Sequence, residues 1–496
     1  MSLAAALPER RFLGHPMMLV PLFLSETWER FSFYGMRALL VLYMVNYLKF
    51  ADSTALDTLG NYLALVYALP MLGGLMADRL LGYRNAVMIG QVLMAFGHLT
   101  MAFDGGATPG DATRQILFVG MALVAVGNGF MKPNISTMVG KLYAPGDARR
   151  DAGFSLFYMG VNLGAAGGGL ATAWLAQEYG WSWGFGAAGL GMLIGLAVFA
   201  AARPHLPADA IAGGGRPRMP SWLLPAIAAL VVITWALLQA HEITGLLLSV
   251  GAAVVISILA YHALRHGTEL QRGRMLAALL LALASIVLWF IADQSAGSLT
   301  LLAERHTPRE VFGLQIPAAS YQNLNPIFII VLAPLLGQLW LFLANRRSDL
   351  SSQAKFTLGL LMTAGSAAAL LLPCFLAGSG EQISPWWLVL SYLVGAAGEV
   401  LISPIGLSAI TRLAMPGVVG TMMGLWFLAT AGADFLAEEV GKLVSIDPSV
   451  AGATSHLGDY VTLFTVLTAI GVAASALLYL LQPWLTRLVA DAAPAE

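Results

Sequence analysis

Charge is what this chain has least of. Of its 496 residues 58% are hydrophobic and 11% are Asp, Glu, Lys or Arg, whereas soluble domains carry about 25% charged residues. With a mean hydropathy of +0.75, the composition excludes an ordinary water-facing globule and makes the bilayer the main solvent. Cysteine is nearly absent: Cys374 stands alone, so no intrachain disulfide or cysteine metal cluster can form. Neither sign of charge dominates, the net being −1, and nothing points to nucleic acid. Metal-ligand spacings, nucleophile triads and phosphate loops are missing and the histidines are scattered, so neither a metal nor a cofactor is expected. A membrane enzyme or a sensor is disfavoured for the same reason, and no long soluble segment is present for signalling. A cleavable leader is not expected either: Glu9, Arg10 and Arg11 precede a long apolar segment without a small-residue cleavage site.

Long apolar runs are abundant. Fourteen spanning helices are predicted near 17–47, 55–76, 84–103, 114–140, 152–176, 182–202, 221–240, 243–264, 275–302, 322–345, 355–377, 386–411, 418–440 and 459–482, each close to the ~20 residues that cross a bilayer. Alternate loops hold eighteen of the Lys and Arg residues and the opposite loops five, with Arg30, Arg37 and Lys132 left inside the membrane. The positive-inside rule then predicts both termini in the cytoplasm. A Pro-, Gly- and Arg-rich stretch at 203–220 reads as a cytoplasmic linker. The expected organisation is an all-α polytopic protein. A six-helix bundle (1–202) and the linker (203–220) lead to an inserted, lipid-facing helix pair (221–264) and a second six-helix bundle (265–496). Paired halves around a midplane site are common in secondary transporters.

The first span is the most informative. Ser25-Glu26-Thr27-Trp28-Glu29-Arg30-Phe31-Ser32-Phe33-Tyr34-Gly35 is followed by Arg37. One charge at the centre of a membrane helix costs roughly 2.5–3.5 kcal/mol, so four of them require each other, water or a ligand. Glu26, Glu29, Arg30, Phe33 and Arg37 recur at helical spacing and share a broad face, which must line a polar cavity. In the fourth span, Lys132 of Gly127-Asn128-Gly129-Phe130-Met131-Lys132-Pro133-Asn134 lies at the depth of Glu26 and is expected to reach that cluster. Pro133 removes a backbone hydrogen bond and permits a bend.

Other polar groups interrupt the apolar runs. Asn162 sits in the fifth span, and its alternative reading is a plain helix–helix hydrogen bond. Asp293 is expected toward the outer end of its helix, Asn325-Pro326 opens the next, and Glu399 is a lone carboxylate near mid-membrane. Asp434, Glu438 and Glu439 are expected to be solvated at a helix end. Glu26, Glu29, Asp293 and Glu399 outnumber Arg30, Arg37 and Lys132 by one. A surplus acid can carry a proton, because a low dielectric favours the neutral carboxyl. Separated positive and negative poles suit a zwitterion. The residues thus predict a proton-linked carrier of a small substrate bearing both charges.

Several motifs resemble those of a known family. Glu26-Thr27-Trp28-Glu29-Arg30-Phe31-Ser32-Phe33-Tyr34-Gly35 is very similar to the first-helix signature of the proton-dependent oligopeptide transporters (POT/PTR). Lys132-Pro133-Asn134, Phe157-Tyr158 with Asn162-Leu163-Gly164, Asn325-Pro326, and Gly398-Glu399 with Pro404 and Gly406-Leu407-Ser408 match others in order. Gly73-Gly74-Leu75-Met76-Ala77-Asp78-Arg79-Leu80-Leu81-Gly82-Tyr83-Arg84 looks like the loop signature of the major facilitator superfamily, with one extra residue before the later glycine. The inserted helix pair looks like that of the prokaryotic members.

The resemblance implies the major facilitator fold and proton-driven import of di- and tripeptides across the inner membrane of a bacterium, by a protein working as a monomer. It implies that Arg30, Lys132 and Tyr34 hold the peptide carboxylate and that Glu399, Asn162 and Asn325 hold its amino group. Glu26, Glu29, Arg30, Lys132 and Asp293 would couple protons, Arg37 and Asp293 would form a gating salt bridge, and Tyr67 and Trp426 would line side-chain pockets. The sequence departs from the family pattern at Phe33 (commonly tyrosine), Asp293 (often glutamate) and Gly60 (a proton-linked histidine in animal relatives). Some plant relatives move nitrate or other solutes, so a carrier of nitrate or an organic anion is the alternative. Glu399 and Asn162 argue against it, since an anion needs no acidic pole.

Overall fold

The structure, a computed structural model, describes residues 11–490 apart from 104–108, 145, 148, 207–210, 212–216, 347–349, 378–381, 416 and 447–453. Half of the linker expected at 203–220 therefore lies outside the described residues, as do the side chains of Pro404 and Gly406-Leu407-Ser408.

The described chain is nearly all helix. In order it forms α1 (Leu19–Leu42), α2 (Asp52–Ala68), α3 (Pro70–Met76), α4 (Tyr83–Ala102), α5 (Asp111–Lys141), α6 (Arg150–Tyr179), α7 (Trp181–Ala202) and α8 (Leu223–Leu238). There follow α9 (His241–His266), α10 (Glu269–Ala292), α11 (Ser298–Arg305), α12 (Leu324–Asn345), α13 (Ser352–Ala377), α14 (Pro385–Leu413), α15 (Val419–Gly441) and α16 (Leu457–Ala490). With α2–α3 and α10–α11 taken as interrupted single spans, the described residues make fourteen long segments, at the places the apolar runs predict. Among them, ten are long and apolar enough to cross a membrane by composition alone. The other four are α1, α6, α8 and α15; α1 carries buried charges and α8 has 16 residues, and all four count as spans. Helix is the required answer in lipid, because it satisfies every backbone donor and acceptor internally. Two small hairpins complete the fold, β1 (Arg11–Phe12) with β2 (His15–Pro16) and β3 (Glu310–Val311) with β4 (Leu314–Gln315).

Local sequence sets the breaks. Pro70 opens α3 where α2 has just ended, a position where its missing N–H costs nothing. Between α3 and α4 the chain makes a wide turn, Gly82 N–H donating to Ala77 O at 2.9 Å, and Gly82 holds φ +73°, which side chains strain to adopt. Asp78 accepts from the Tyr83 hydroxyl at 2.6 Å, so the charged loop signature fastens the start of α4. Thr268 and Gln271 cap α10 reciprocally.

The chain packs as two compact units, Met1–Arg37 with Leu69–Trp235, and Ala38–Ala68 with Ala236–Glu496. This division follows contact, whereas the partition at 202/203, 220/221 and 264/265 follows connectivity. The two differ because α2 packs along α15, far away in sequence. The unit boundaries fall inside α1, between α2 and α3, and inside α8.

In the first unit α4 lies along α5 and α7, α6 along α7, and α3 on α5. α1 crosses α6 with almost no space between the backbones: a Cβ on Gly164 would come within 2.1 Å of Thr27 O and 2.9 Å of Arg30 Cβ. Small residues at crossings of this kind replace the hydrophobic drive that lipid does not supply. The β1–β2 hairpin is tied to the α5–α6 connection by His15 Nδ1 and the Tyr143 hydroxyl at 2.9 Å. Arg149 donates to Gly14 O at 2.9 Å and to both carboxylate oxygens of Asp147, which holds that carboxyl down to about 2.

In the second unit α13 packs between α14 and α16, and α15 runs along α2, α10 and α9. Its core joins Leu259, Leu281, Phe356, Leu360, Ile402 and Trp426. One expectation is corrected here. Asp434 and Glu438 are fully buried, both at 0% exposure, and only Glu439 is partly open. The i, i+4 pair lies on the inner face of α15. Gly60 of α2 leaves room for Glu438, the Cβ it lacks falling 3.1 Å from Glu438 Cβ, and Gly297 lies against the Glu438 carboxylate.

Candidate functional site

The first unit gathers the charges of α1. Arg30 Nε is 3.0 Å from Glu26 Oε1 and 2.5 Å from Glu29 Oε2, and the three side chains are between 0% and 5% exposed. One guanidinium thus serves two carboxylates on its own helix. Asn128 of α5 donates to Glu29 Oε1 at 3.3 Å. Lys132, one turn further along α5, is half-buried. The Arg30 guanidinium lies over the Phe33 ring, 5.5 Å from its centroid, and Arg37 over Tyr34 at 5.9 Å. Phe33 and Tyr34 meet edge to face. Arginine stacks well on an aromatic face, so the phenylalanine that replaces the family's tyrosine forms a floor for Arg30. Asn162 is buried, and its amide donates to Tyr158 O at 3.0 Å within α6.

Two acids and two bases therefore share this part of the first unit. Glu26 Oε2 is buried and accepts no hydrogen bond from any described residue, which leaves one carboxylate oxygen available to a proton or a donor. Breaking a buried ion pair by removing one partner costs about 3–5 kcal/mol, so the cluster holds its members tightly.

The second unit holds the other predicted residues. Asn325, at the start of α12, donates to Glu399 Oε2 of α14 at 3.0 Å, and Glu399 is buried. Asp293 is buried where α10 gives way to a tight turn. Trp426 is buried in the core around α15 and Tyr67 is half-buried near the end of α2. Arg37 belongs to the first unit and Asp293 to the second. Asp52 and Arg305 form a bidentate pair at 2.7 Å for both bonds, and Asp52 also accepts from Ile446 N–H at 2.9 Å.

Sequence reasoning missed Asn128 as a partner of Glu29. Its signal was a lone amide between two glycines in an apolar run, one turn before Lys132. It also missed a polar group formed by Asp57, His241 and Glu439, whose ligand-type atoms lie within 4.8 Å of one another. Lys442 bonds both Asp57 and Glu439, so an ammonium already neutralises this group and an ion network describes it better than a metal centre.

The sequence profile described as the POT family matches residues 84–457. A peptide transporter of Yersinia enterocolitica, YePEPT, is 37% identical over 469 residues, covering 88% of this chain and 90% of the relative. Dipeptide and tripeptide permease A of Cronobacter turicensis is 33% identical, covering 97% of this chain and 95% of the permease. The crystal structure of a peptide transporter POT in complex with sulfate superposes with a TM-score of 0.82 at 36% identity over 98% of both chains. That of a POT family transporter in complex with 5-aminolevulinic acid gives 0.82 at 29% identity, over 97% of this chain and 99% of the other. The helical spans and this likeness make the architecture an all-α polytopic membrane protein of the major facilitator fold, and the chain belongs to the POT family.

Proposed function

We propose that this protein imports di- and tripeptides across a bacterial inner membrane together with protons, by alternating access. The observation that carries the reading is the pair of buried carboxylates, Glu26 and Glu29, on the single Arg30 guanidinium in a spanning helix. Such a group is too costly to keep in a bilayer without a use, and the open oxygen of Glu26 gives a proton a place to bind. The first unit supplies cations at Arg30 and Lys132, and the second supplies an acid with a donor at Glu399 and Asn325. A substrate with a carboxylate at one end and an ammonium at the other matches these poles. The 5-aminolevulinic acid held by a structural relative also carries both groups.

In this reading Arg30, Lys132 and Tyr34 bind the peptide carboxylate, and Glu399, Asn162 and Asn325 its amino terminus, with Tyr67 and Trp426 beside the side chains. A proton on Glu26 or Glu29 frees Arg30 to bind the substrate carboxylate, which links proton to peptide. An Arg37–Asp293 salt bridge gates one side, and protonating Asp293 releases it. The two six-helix halves rock about the site. Both termini face the cytoplasm, the monomer suffices, and no cofactor takes part, the proton gradient being the driving force.

The test is uptake of labelled dialanine into proteoliposomes with and without an inward proton gradient. Accumulation only with the gradient, competed by tripeptides and indifferent to free alanine and nitrate, is expected. Glu26→Gln should still exchange dialanine across the membrane without concentrating it. Full gradient-driven accumulation by that variant removes Glu26 from the coupling. Uptake of nitrate in place of dialanine overturns the peptide reading.

A further inference from the structure

The inserted helix pair, α8 and α9, has no role in that scheme, and much of it turns apolar side chains outward, among them Leu246, Leu247, Val250 and Val254. Its tip is built differently. Asn61 of α2 donates to Leu237 O at 3.3 Å and to Leu238 O at 3.1 Å, satisfying carbonyls that the end of α8 leaves open. Thr244 donates to Leu237 O at 2.8 Å. Asn61 Oδ1 lies 2.9 Å from His241 Nδ1. The His241 ring is stacked on Phe435 of α15 with centroids 4.4 Å apart and planes 9° from parallel. Its Nε2 reaches Asp57 of α2 at 3.3 Å and also Glu439 of α15. Lys442 bonds Asp57 and, at 2.6 Å, Glu439. Gly245 makes room for the stack, since a Cβ there would fall 2.8 Å from Phe435 Cζ.

A lipid-facing scaffold needs none of this. Water or headgroups satisfy the ends of a peripheral hairpin at no cost in specific partners. Here one imidazole is engaged by two helices at once, and the helix pair is bound at its tip to α2 and α15 together. Most of these contacts are polar and directional, the properties of a contact that can be made and broken. We propose that the inserted pair is a clasp that fastens α2 to α15 at this end, and that the α2–α15 contact opens and recloses in each transport cycle with the tip holding it shut. The proposal rests on the transport reading above. His241 and Asn61 act in it as positioning residues that never meet the substrate.

The geometry supplies a lock for the test. The Cβ of a residue replacing Gly60 would stand 3.1 Å from Glu438 Cβ, near the ~3.5–4.5 Å of a disulfide. The one native thiol, Cys374, is buried. In proteoliposomes the Gly60→Cys/Glu438→Cys protein is oxidised and then reduced. Dialanine uptake should stop on oxidation and return with dithiothreitol, and uptake that persists in the oxidised protein overturns the cyclic opening. The rate of disulfide formation under fixed oxidant reads the clasp itself, whatever the substrate. His241→Ala in this background should slow it at least about fivefold, since it removes the part-buried hydrogen bonds to Asn61 and Glu439 and the loss of even one changes a population by about that factor. His241→Gln, which keeps a side chain able to bond Asn61 and Glu439, should restore it. Asn61→Ala, which releases the two α8 carbonyls, should repeat the slowing. Unchanged rates in both alanine variants leave the pair a scaffold and overturn the clasp. Slowed cross-linking in a protein that takes up no dialanine in its reduced or wild-type form supports the clasp and sinks the peptide reading instead.

Discussion

Replacing Arg30 by glutamine should abolish gradient-driven dialanine accumulation while leaving a chain that still inserts. The guanidinium lies within 3.0 Å of Glu26 and 2.5 Å of Glu29, and Glu29 is fully buried. Without it two carboxylates on one turn confront each other in a low dielectric, with the Asn128 amide left to donate to Glu29. Removing one member of a buried pair costs about 3–5 kcal/mol, which corresponds to a loss of at least about a hundredfold in any step that needs the pair ionised. The protein can avoid that cost by keeping a proton on one glutamate, but a proton held throughout the cycle carries no coupling. Arg30→Lys keeps the charge and loses the planar donor that faces both acids, so uptake should fall by about tenfold and depend more steeply on pH. Accumulation, exchange without a gradient, and melting of the purified protein separate the cases. An Arg30→Gln protein that accumulates dialanine like wild type removes Arg30 from both roles.

The second large effect is expected from one methyl group. Gly164→Ala should cost about 1–3 kcal/mol of stability by overpacking and take most of the uptake with it. The added Cβ would stand 2.1 Å from Thr27 O and 2.9 Å from Arg30 Cβ, less than any carbon tolerates, so α6 and α1 must move apart. That movement displaces the residue that carries the charge cluster. Gly186→Ala is the matched control in the same unit: its Cβ meets only Ala102 Cβ at 3.9 Å, and alanine is the better helix former by about 1 kcal/mol. Thermal unfolding in detergent should therefore fall for the first variant and hold or rise for the second, with uptake following. Equal behaviour of the two removes close backbone approach as the reason for glycine at 164.

The spans were legible because lipid leaves the chain little choice. A segment that crosses must be apolar and helical, and hydropathy alone located all fourteen segments among the described residues. The α1 cluster was legible for the converse reason, that charge within such a run stands out and needs partners. Partners contributed by distant helices were harder to read. Asn128 looks like any small polar residue until α5 lies beside α1. Asp434 and Glu438 sit near a helix end, where hydropathy predicts water, yet both are buried, Glu438 against Gly60 and Gly297 from distant parts of the chain. His241 opens α9 as an ordinary polar residue at a turn, and its four partners, Asp57, Asn61, Phe435 and Glu439, lie up to 198 residues away. Asp52 and Arg305 likewise read as loop charges until they pair at 2.7 Å.

One property of α1 bears on how a chemical event becomes a mechanical one. The helix is unbroken from Leu19 to Leu42, yet its contacts change allegiance between Arg37 and Ala38. Below that point Arg30 holds the charges. Above it the Ala38 carbonyl accepts from Gln322 of the second unit at 3.4 Å. Arg30 and Ala38 are separated by about 12 Å of helix at 1.5 Å per residue, a stiff rod with a load at each end. A lever of this kind needs no relay of side chains. The helix is continuous over this length, so a turn of its backbone at Arg30 is also a turn at Ala38.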